Sequence, residues 1–140
     1  MKSKMSNFKD KYGPWAIIAG ASEGIGAAFS EALAQRGLNL ILVARRGNLL
    51  SELALGLRSR HEIEVVEHAL DLGDMSSVRD LVSSMNQDIG LLVYNAAYSP
   101  IGYFKDVPYA DLENIISVNI RTPLFLIKAL TESMIERGKG

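Results

Sequence analysis

From residue 15 onward the sequence alternates short apolar runs with segments whose apolar residues recur at helical spacing. The apolar runs cover residues 15–19, 38–44, 63–69 and 91–95, and they are nearly continuous, as expected of strands covered by helices on both faces. This alternation predicts an α/β fold with a parallel sheet. Because crossovers between parallel strands are right-handed, we expect a Rossmann-like doubly wound sheet with strand order 3-2-1-4.

Length and composition are those of one globular domain. Of the 140 residues, 48% are hydrophobic, which is enough to build a core. Residues 1–11 are basic and polar, so we expect a flexible N-terminal arm, followed by one domain over residues 12–140. Because a doubly wound sheet normally continues past its fourth strand, we expect a partial Rossmann domain, truncated before the remaining strands.

The charge balance and the lack of cysteine narrow the range of ligands. A net charge of −1 leaves no basic surplus for nucleic acid or anionic lipid, and the apolar runs are far shorter than the roughly 20 residues of a membrane span. Without cysteine there is no thiolate metal site, and His61 and His68 lack acidic ligands at metal-binding spacing. We therefore expect a cytoplasmic protein that binds small molecules, with no metal, nucleic-acid or membrane partner.

Glycines are concentrated between the first strand and the first helix, at Gly20, Gly24 and Gly26. A tight turn at this point brings backbone N–H groups against a phosphate at the helix N-terminus, and glycine permits both the turn and the close approach. A purely structural turn would explain one or two of these glycines. Their place between a strand and a helix favours a cofactor site.

The end of the second strand indicates which cofactor would bind. Many dinucleotide-binding domains place an acid here to bind the ribose of NAD, but this chain has Ala44 followed by Arg45 and Arg46. Two guanidinium groups can pair with a 2′-phosphate, so NADP(H) is favoured over NAD(H). The alternative is that both arginines are solvated loop residues. Glu23 supports that alternative, because its carboxylate would repel phosphate unless it faces solvent or pairs with an arginine.

Two further strand ends carry residues suited to a ligand. Asp71, followed by Leu72, could accept a hydrogen bond from the adenine amino group, and a structural role in the turn or as a helix cap is equally open. At the fourth strand, Asn95 can donate and accept, while Ala96 and Ala97 leave room for a flat ligand. A strand-end turn with a self-satisfied asparagine is the alternative there.

The fourth helix starts near Pro108 and carries Asn119 within its apolar stripe. The apolar residues of that stripe are Leu112, Ile115, Ile116 and Ile120. Pro123 removes the N–H that would bond to the Asn119 carbonyl, so we expect a kink and a free carbonyl on the core side. Such a carbonyl can hold a water of a proton relay. A kink-stabilising asparagine without a chemical role is the alternative.

An aromatic loop follows the fourth strand and contains Tyr98, Tyr103 and Phe104. Loops beside a ligand site often contact substrate. Packing of the loop itself is the default interpretation.

Together these features resemble the classical short-chain dehydrogenase/reductase family over essentially the whole length after Lys11. The glycines from Gly20 to Gly26 resemble the family's glycine motif, and Asp71 its adenine-binding acid. The segment 95–97 resembles its Asn-Ala-Gly motif and Asn119 its catalytic asparagine, all in the right order and spacing. Residues 12–26 are most similar to the branch that contains steroid and 3-ketoacyl reductases.

The resemblance implies an NADP(H)-dependent oxidoreductase that acts on a carbonyl or alcohol. It implies that Ser22 and Arg45 contact the 2′-phosphate, Ile25 and Ala96 the cofactor backbone and ribose, and Val118 the nicotinamide side. Asn119 is the expected catalytic residue. The expected cofactor residues are Gly20, Ser22, Glu23, Gly24, Ile25, Gly26, Arg45, Arg46, Asp71, Leu72, Asn95, Ala96, Ala97 and Val118.

The sequence departs from the family pattern at several positions. Ala19 stands where the family usually has threonine, Ala97 where it usually has glycine, and Glu23 where NADP-preferring members often have a basic residue. In the family, a serine, a tyrosine and a lysine four residues after that tyrosine transfer the proton. The residues four positions after Tyr12, Tyr94, Tyr98, Tyr103 and Tyr109 are Ala16, Tyr98, Gly102, Val107 and Glu113. Because none is lysine, we expect this chain to be inactive by itself.

Two classes of function remain open at this point. The chain is either the N-terminal cofactor-binding portion of a longer oxidoreductase or a short non-catalytic nucleotide-binding module that senses cofactor or pairs with a partner. An S-adenosylmethionine-dependent methyltransferase is a remote third, and Arg45 in place of an acid argues against it. In either case the edge strand over residues 91–95 and the Asn119 helix are left partly uncovered, so we expect a homo-oligomer.

Overall fold

The computed structural model describes residues 4–140 and contains a four-stranded parallel sheet. The strands are β1 (Trp15–Ala19), β2 (Asn39–Ala44), β3 (Val65–Ala69) and β4 (Ile89–Tyr94). Their order is β3-β2-β1-β4, which confirms the predicted topology. Ile17 at the centre of β1 lies opposite Ile41 of β2 and Leu92 of β4.

Helices connect the strands and continue after β4. They are α1 (Lys4–Tyr12), α2 (Gly24–Ala34), α3 (Gly47–Arg60), α4 (Met75–Ser84), α5 (Tyr109–Ile116) and α6 (Thr122–Arg137), with a 3-10 turn over Phe104–Asp106 and a π-helical segment over Ser117–Arg121. Asp74 is the N-cap of α4, and its carboxylate accepts hydrogen bonds from the Ser76 N–H at 3.0 Å and the Ser77 hydroxyl at 2.6 Å.

Side chains of β1 alternate between two cores, one on each face of the sheet. Ala16 and Ile18 pack with apolar residues of α1, α2 and α3. Ile17 and Ala19 pack with those of α4 and α6. All four residues are fully buried, as expected for a central strand of a sheet covered on both sides. Within residues 4–140, every helix is too short or too polar to cross a lipid bilayer.

The structure differs from the predicted N-terminal arm. Residues 4–12 form α1 instead, and residues 1–3 of the predicted arm lie outside the described residues. Phe8 and Tyr12 lie one helical turn apart, with ring centroids separated by 4.8 Å, and both pack on the α2 side of the core. The Arg36 guanidinium lies 5.1 Å from the Phe8 ring. These two aromatic residues tie the segment to the domain.

The segment around Asn119 also differs from the prediction. The Thr122 N–H donates to the Ser117 carbonyl five residues earlier, so the chain forms a π turn where Pro123 interrupts the normal bonding. Asn119 is exposed and does not face the core. Apart from Ser117, the buried residues from here to the end of α6 are spaced by four: Val118, Thr122, Leu126 and Leu130. A π turn contains one residue more than an α-helical turn, so the buried positions of the helix are shifted away from Asn119.

Candidate cofactor-binding site

One cavity opens at the carboxyl edge of the sheet, where the strand order reverses around β1. Its walls are formed by Gly20, Ser22, Glu23, Ala44, Arg45, Arg46, Asp71, Leu72, Asn95, Ala96, Ala97, Tyr98 and Val118. Of the cofactor residues predicted from the sequence, all line this cavity except Gly24, Ile25 and Gly26. The structure therefore gathers residues that are far apart in the chain, and it adds Ala44 and Tyr98 to them.

Gly20 joins the end of β1 to the strands on either side. Its N–H donates to the Val43 carbonyl at 2.8 Å, while the Ala96 N–H donates to the Ala19 carbonyl at 3.0 Å. Gly20 has a φ of +83°, and a Cβ at this position would lie 2.6 Å from the Ala96 nitrogen. Only glycine fits here, because the backbone after β4 passes directly against the turn.

Gly24, Ile25 and Gly26 form the first turn of α2 at the edge of the cavity. A Cβ on Gly26 would lie 1.9 Å from the Gly20 carbonyl oxygen, so glycine lets the helix sit directly on the turn. Gly24 has a φ of +57° and open space where a Cβ would be. The N-cap residue Glu23 makes no side-chain capping bond. The N–H groups of this turn therefore have the arrangement that binds phosphate.

The two arginines after β2 have different surroundings. Arg46 forms an ion pair with Glu23, across the gap between β2 and the glycine turn. The sequence left two arrangements in which Glu23 would not repel a bound phosphate: facing solvent or pairing with an arginine. The structure has the pairing with an arginine. Arg45 is exposed, lines the same cavity and has no ion-pair partner among residues 8–140. Unlike Arg46, it can therefore bind an anionic ligand without first breaking an ion pair.

Asp71 and Leu72 hold the turn after β3. Asp71 Oδ1 accepts from the Gly73 N–H at 2.8 Å, and its backbone carbonyl accepts from the Asp74 N–H at 3.0 Å. The structural role considered for Asp71 is thus present, while the carboxylate is also exposed on the cavity. Leu72 is a core residue whose carbonyl accepts from the Thr122 hydroxyl at 2.6 Å. Leu72 also lines the cavity, although it is only 5% exposed.

Asn95 links the end of β4 to the glycine turn. Its N–H donates to the Ala19 carbonyl at 2.8 Å, and its side-chain Nδ2 donates to the Gly20 carbonyl at 3.4 Å. The amide thus has a partner within the protein, as in the strand-end interpretation. Because Asn95, Ala96 and Ala97 all line the cavity, the same segment also forms part of its floor.

Asn119 pairs with the backbone of Tyr98, and of these two residues only Tyr98 lines the cavity. Asn119 Oδ1 accepts from the Tyr98 N–H at 2.8 Å, and Asn119 Nδ2 donates to the Tyr98 carbonyl at 2.9 Å. The Tyr98 hydroxyl donates to Asp111 at 2.7 Å, and this bond raises the pKa of Tyr98. Loop packing was the default interpretation for Tyr98. The position of Tyr98 directly after residues 95–97 is the sequence signal that could have predicted its place in the cavity wall.

Tyr94 is the second tyrosine beside the site. Its hydroxyl donates to the backbone carbonyl of Val118, and burial raises the pKa of Tyr94 to about 12. The pKa of Tyr98 is raised as well, by its bond to Asp111. A tyrosine that exchanges protons during catalysis near neutral pH needs a lowered pKa. Both tyrosines therefore hold their protons firmly and act as hydrogen-bond donors.

Comparison with known proteins matches the chain to the family that its sequence motifs resemble. A family model described as short chain dehydrogenase matches residues 14–140. The 7beta-hydroxysteroid dehydrogenase of Clostridium sardiniense is 36% identical over 135 residues, which cover 96% of this chain and 52% of that protein. The chain thus spans about half the length of the curated relatives that it matches.

Solved structures agree with this match. A 7beta-hydroxysteroid dehydrogenase structure superposes with a TM-score of 0.89 at 29% identity, covering 94% of this chain and 53% of the other. A short-chain dehydrogenase from Sphingobium yanoikuyae in complex with NADPH has a TM-score of 0.84 at 31% identity, covering 91% and 51%. On these matches and the sheet order, the chain belongs to the short chain dehydrogenase family.

Proposed function

We propose that the chain is the N-terminal, NADP(H)-binding portion of a short-chain oxidoreductase that acts on a carbonyl or alcohol. The observation that carries this proposal is that Gly20, Ser22 and Glu23, from the segment that joins β1 to α2, line one cavity together with Arg45. A structurally similar dehydrogenase solved with NADPH supports the choice of cofactor. The absence of cysteine fits a cytoplasmic location, which we propose as well.

The residues of the cavity suit the parts of this cofactor. The first turn of α2 holds the pyrophosphate, because the space beside Gly24 is open and a ligand can approach the N–H groups of this turn. Arg45 pairs with the 2′-phosphate and Asp71 accepts from the adenine amino group. The small residue Ala96 leaves room for the ribose. When bound, NADPH supplies the hydride, and these side chains fix its orientation.

The proton-transfer groups are the missing part of the reaction. No tyrosine of this chain is followed four residues later by lysine, and the pKa values of Tyr94 and Tyr98 are raised rather than lowered. We therefore expect no turnover above background when the chain is assayed with NADPH and a panel of ketones. Robust turnover would show that the catalytic groups lie elsewhere in this chain.

Titration of NADPH and NADH against the purified chain tests the cofactor. NADPH should bind more tightly, and Arg45→Ala should weaken NADPH by about 10- to 100-fold without changing NADH affinity, because a charge-assisted bond to the 2′-phosphate is lost. Arg79→Ala, at an exposed position of α4 outside the cavity, is the control and should change neither affinity. Tighter binding of NADH would contradict the phosphate assignment.

A non-catalytic nucleotide-binding module that senses cofactor or pairs with a partner is the second candidate, and the cavity at the carboxyl edge of the sheet suits it equally. The genomic reading frame after Gly140 distinguishes the two. Continuation into a serine and a Tyr-x-x-x-Lys sequence supports the oxidoreductase portion. A stop codon at that point supports the module.

We also propose that the chain self-associates through the face formed by α5, the π-helical segment and α6. This face exposes Ile116, Ile120, Leu124 and Ile127, next to the edge strand β4. Light scattering should detect a dimer or larger species, and Ile127→Glu should dissociate it. Leu55→Glu, at an exposed leucine of α3, is the matched control. A monomer at high concentration would contradict the proposal.

A further inference from the structure

We propose that Tyr98 forms the wall of the adenosine end of the cavity, and that its ring packs against the adenine of the bound cofactor. This inference rests on the proposed function, because it names a further binding residue of the same site. Neither the glycine turn nor the arginines supply a flat apolar surface for a purine. An aromatic ring supplies one regardless of which base is bound.

The position of Tyr98 places it in the cavity wall. It follows Ala97 directly, is half-buried, and lines the cavity together with Arg45 and Asp71. The other aromatic residues of the same loop behave differently. Tyr103 is 79% exposed and Phe104 is 78% exposed, and neither lines the cavity. Tyr98 is thus the aromatic residue of this loop that a ligand can reach.

Contacts with α5 show which end of the cavity Tyr98 occupies. Its hydroxyl donates to Asp111, one turn before Asn114. Asn114 packs on the turn after β3, since a Cβ on Gly73 would lie 2.4 Å from Asn114 Oδ1. The Tyr98 ring therefore extends from the β4 end toward the Asp71 turn. The positive charge of Arg45 also acts on the pKa of Tyr98, against the larger effect of Asp111, as expected if that guanidinium lies on the same side.

Three hydrogen bonds hold Tyr98 in place before any ligand binds. Its N–H and carbonyl pair with the Asn119 amide, and its hydroxyl is bound to Asp111. A side chain that is already ordered loses little conformational entropy when a ligand packs on it, so more of the contact appears as affinity. This preorganisation distinguishes Tyr98 from a loop residue that merely covers the surface.

The test compares the complete cofactor with its two halves. NADPH, 2′,5′-ADP and reduced nicotinamide mononucleotide are each titrated against the unsubstituted chain, Tyr98→Ala and Tyr98→Phe. We expect Tyr98→Ala to weaken NADPH and 2′,5′-ADP by the same factor, about 5- to 150-fold, with no change for the mononucleotide. Tyr98→Phe keeps the ring and should stay within about threefold of the unsubstituted chain. Tyr103→Ala is the matched control and should change nothing.

Two outcomes overturn the inference alone: unchanged affinities in Tyr98→Ala, or a loss confined to the mononucleotide, which would place the ring at the nicotinamide end. Thermal unfolding without ligand checks that each variant is folded. If Tyr98→Ala does not fold, Tyr98→Leu keeps an apolar side chain without an aromatic face and should lose 2′,5′-ADP affinity in the same way. If the unsubstituted chain binds none of the three ligands, the proposed function fails and this inference with it.

Discussion

The side-chain amide of Asn119 pairs with the backbone of Tyr98, with one hydrogen bond in each direction at 2.8 and 2.9 Å. Asn119 lies on the exposed side of the π-helical segment, and Tyr98 lies in the loop after β4. The pair therefore couples the helix to the wall of the candidate site. Because Asn119 does not line the cavity, its side chain acts on the site through Tyr98.

Replacing Asn119 should loosen this loop. Asn119→Ala removes both bonds and should lower the free energy of unfolding by about 1–2 kcal/mol. Asn119→Asp keeps an acceptor for the Tyr98 N–H but sets a carboxylate against the Tyr98 carbonyl, so it should destabilise at least as much near neutral pH. Urea unfolding measures both, with Asn48→Ala at an exposed position of α3 as the control. Equal stability of all four proteins would show that the pair contributes nothing.

The glycine turn offers a matched comparison of crowding with backbone strain. Gly20→Ala places a Cβ 2.6 Å from the Ala96 nitrogen and also requires a φ of +83°, so we expect a loss of more than about 2 kcal/mol of stability. Gly24→Ala meets open space and has only the left-handed conformation to overcome, about 1–2 kcal/mol. Denaturant titration of both variants should rank them in this order. The reverse order would contradict the close approach.

Thr122 provides the buried hydroxyl that holds the turn after β3. It is fully buried and donates to the Leu72 carbonyl at 2.6 Å. Thr122→Val keeps the shape and leaves that carbonyl unsatisfied, so it should cost about 1–3 kcal/mol. Thr131→Val is the control, because Thr131 is exposed and bonds only within its own helix. Comparable unfolding midpoints for the two variants would contradict a structural role for the Thr122 bond.

Glu31 should make the stability depend on pH below about 4.5. Hydrogen bonds from Arg60 and then His61 lower the pKa of Glu31 from 4.5 to about 2. Because the folded-state pKa lies below the unfolded one, the stabilisation is complete above pH 4.5 and is lost as the pH falls toward 2. Glu31→Gln should therefore lower the melting temperature at pH 7 and have no such effect near pH 2.

The Glu31 effect is modest, since the side chain is about one-third exposed, and salt should weaken it further. Glu52→Gln, at an exposed position of α3, serves as the control and should not lower the melting temperature at either pH. A Glu31→Gln difference that persists unchanged at pH 2 would rule out the ion pairs as its source.

Glu23 should reduce the affinity for NADPH by occupying Arg46. Glu23→Gln removes the ion pair and leaves Arg46 available to the 2′-phosphate, so NADPH should bind about two- to fivefold more tightly while NADH is unaffected. The double variant with Arg46→Ala should lose this gain. If NADH gains equally, the effect comes from general repulsion of phosphates by Glu23.

Much of the site could be predicted from local sequence patterns, because the tertiary structure keeps the strands and the turn that they predict. The apolar runs and the glycine turn determined the strand order and the edge at which residues 20, 45, 71 and 95 meet, because parallel strands joined by right-handed crossovers place their carboxyl ends together. The family resemblance came from the same residues and is confirmed.

The tertiary structure decided what depends on contacts between distant segments. Helical spacing placed Asn119 on the core side, but the π turn beside Pro123 rotates it outward to meet Tyr98. Basic composition suggested a loose arm at the N-terminus, yet Phe8 finds an apolar surface on the α2 side of the core. Pairing of Glu23 with Arg46 likewise needs the sheet to bring two loops together. Periodicity describes one element at a time, whereas the direction of a side chain depends on the partner that the fold brings to it.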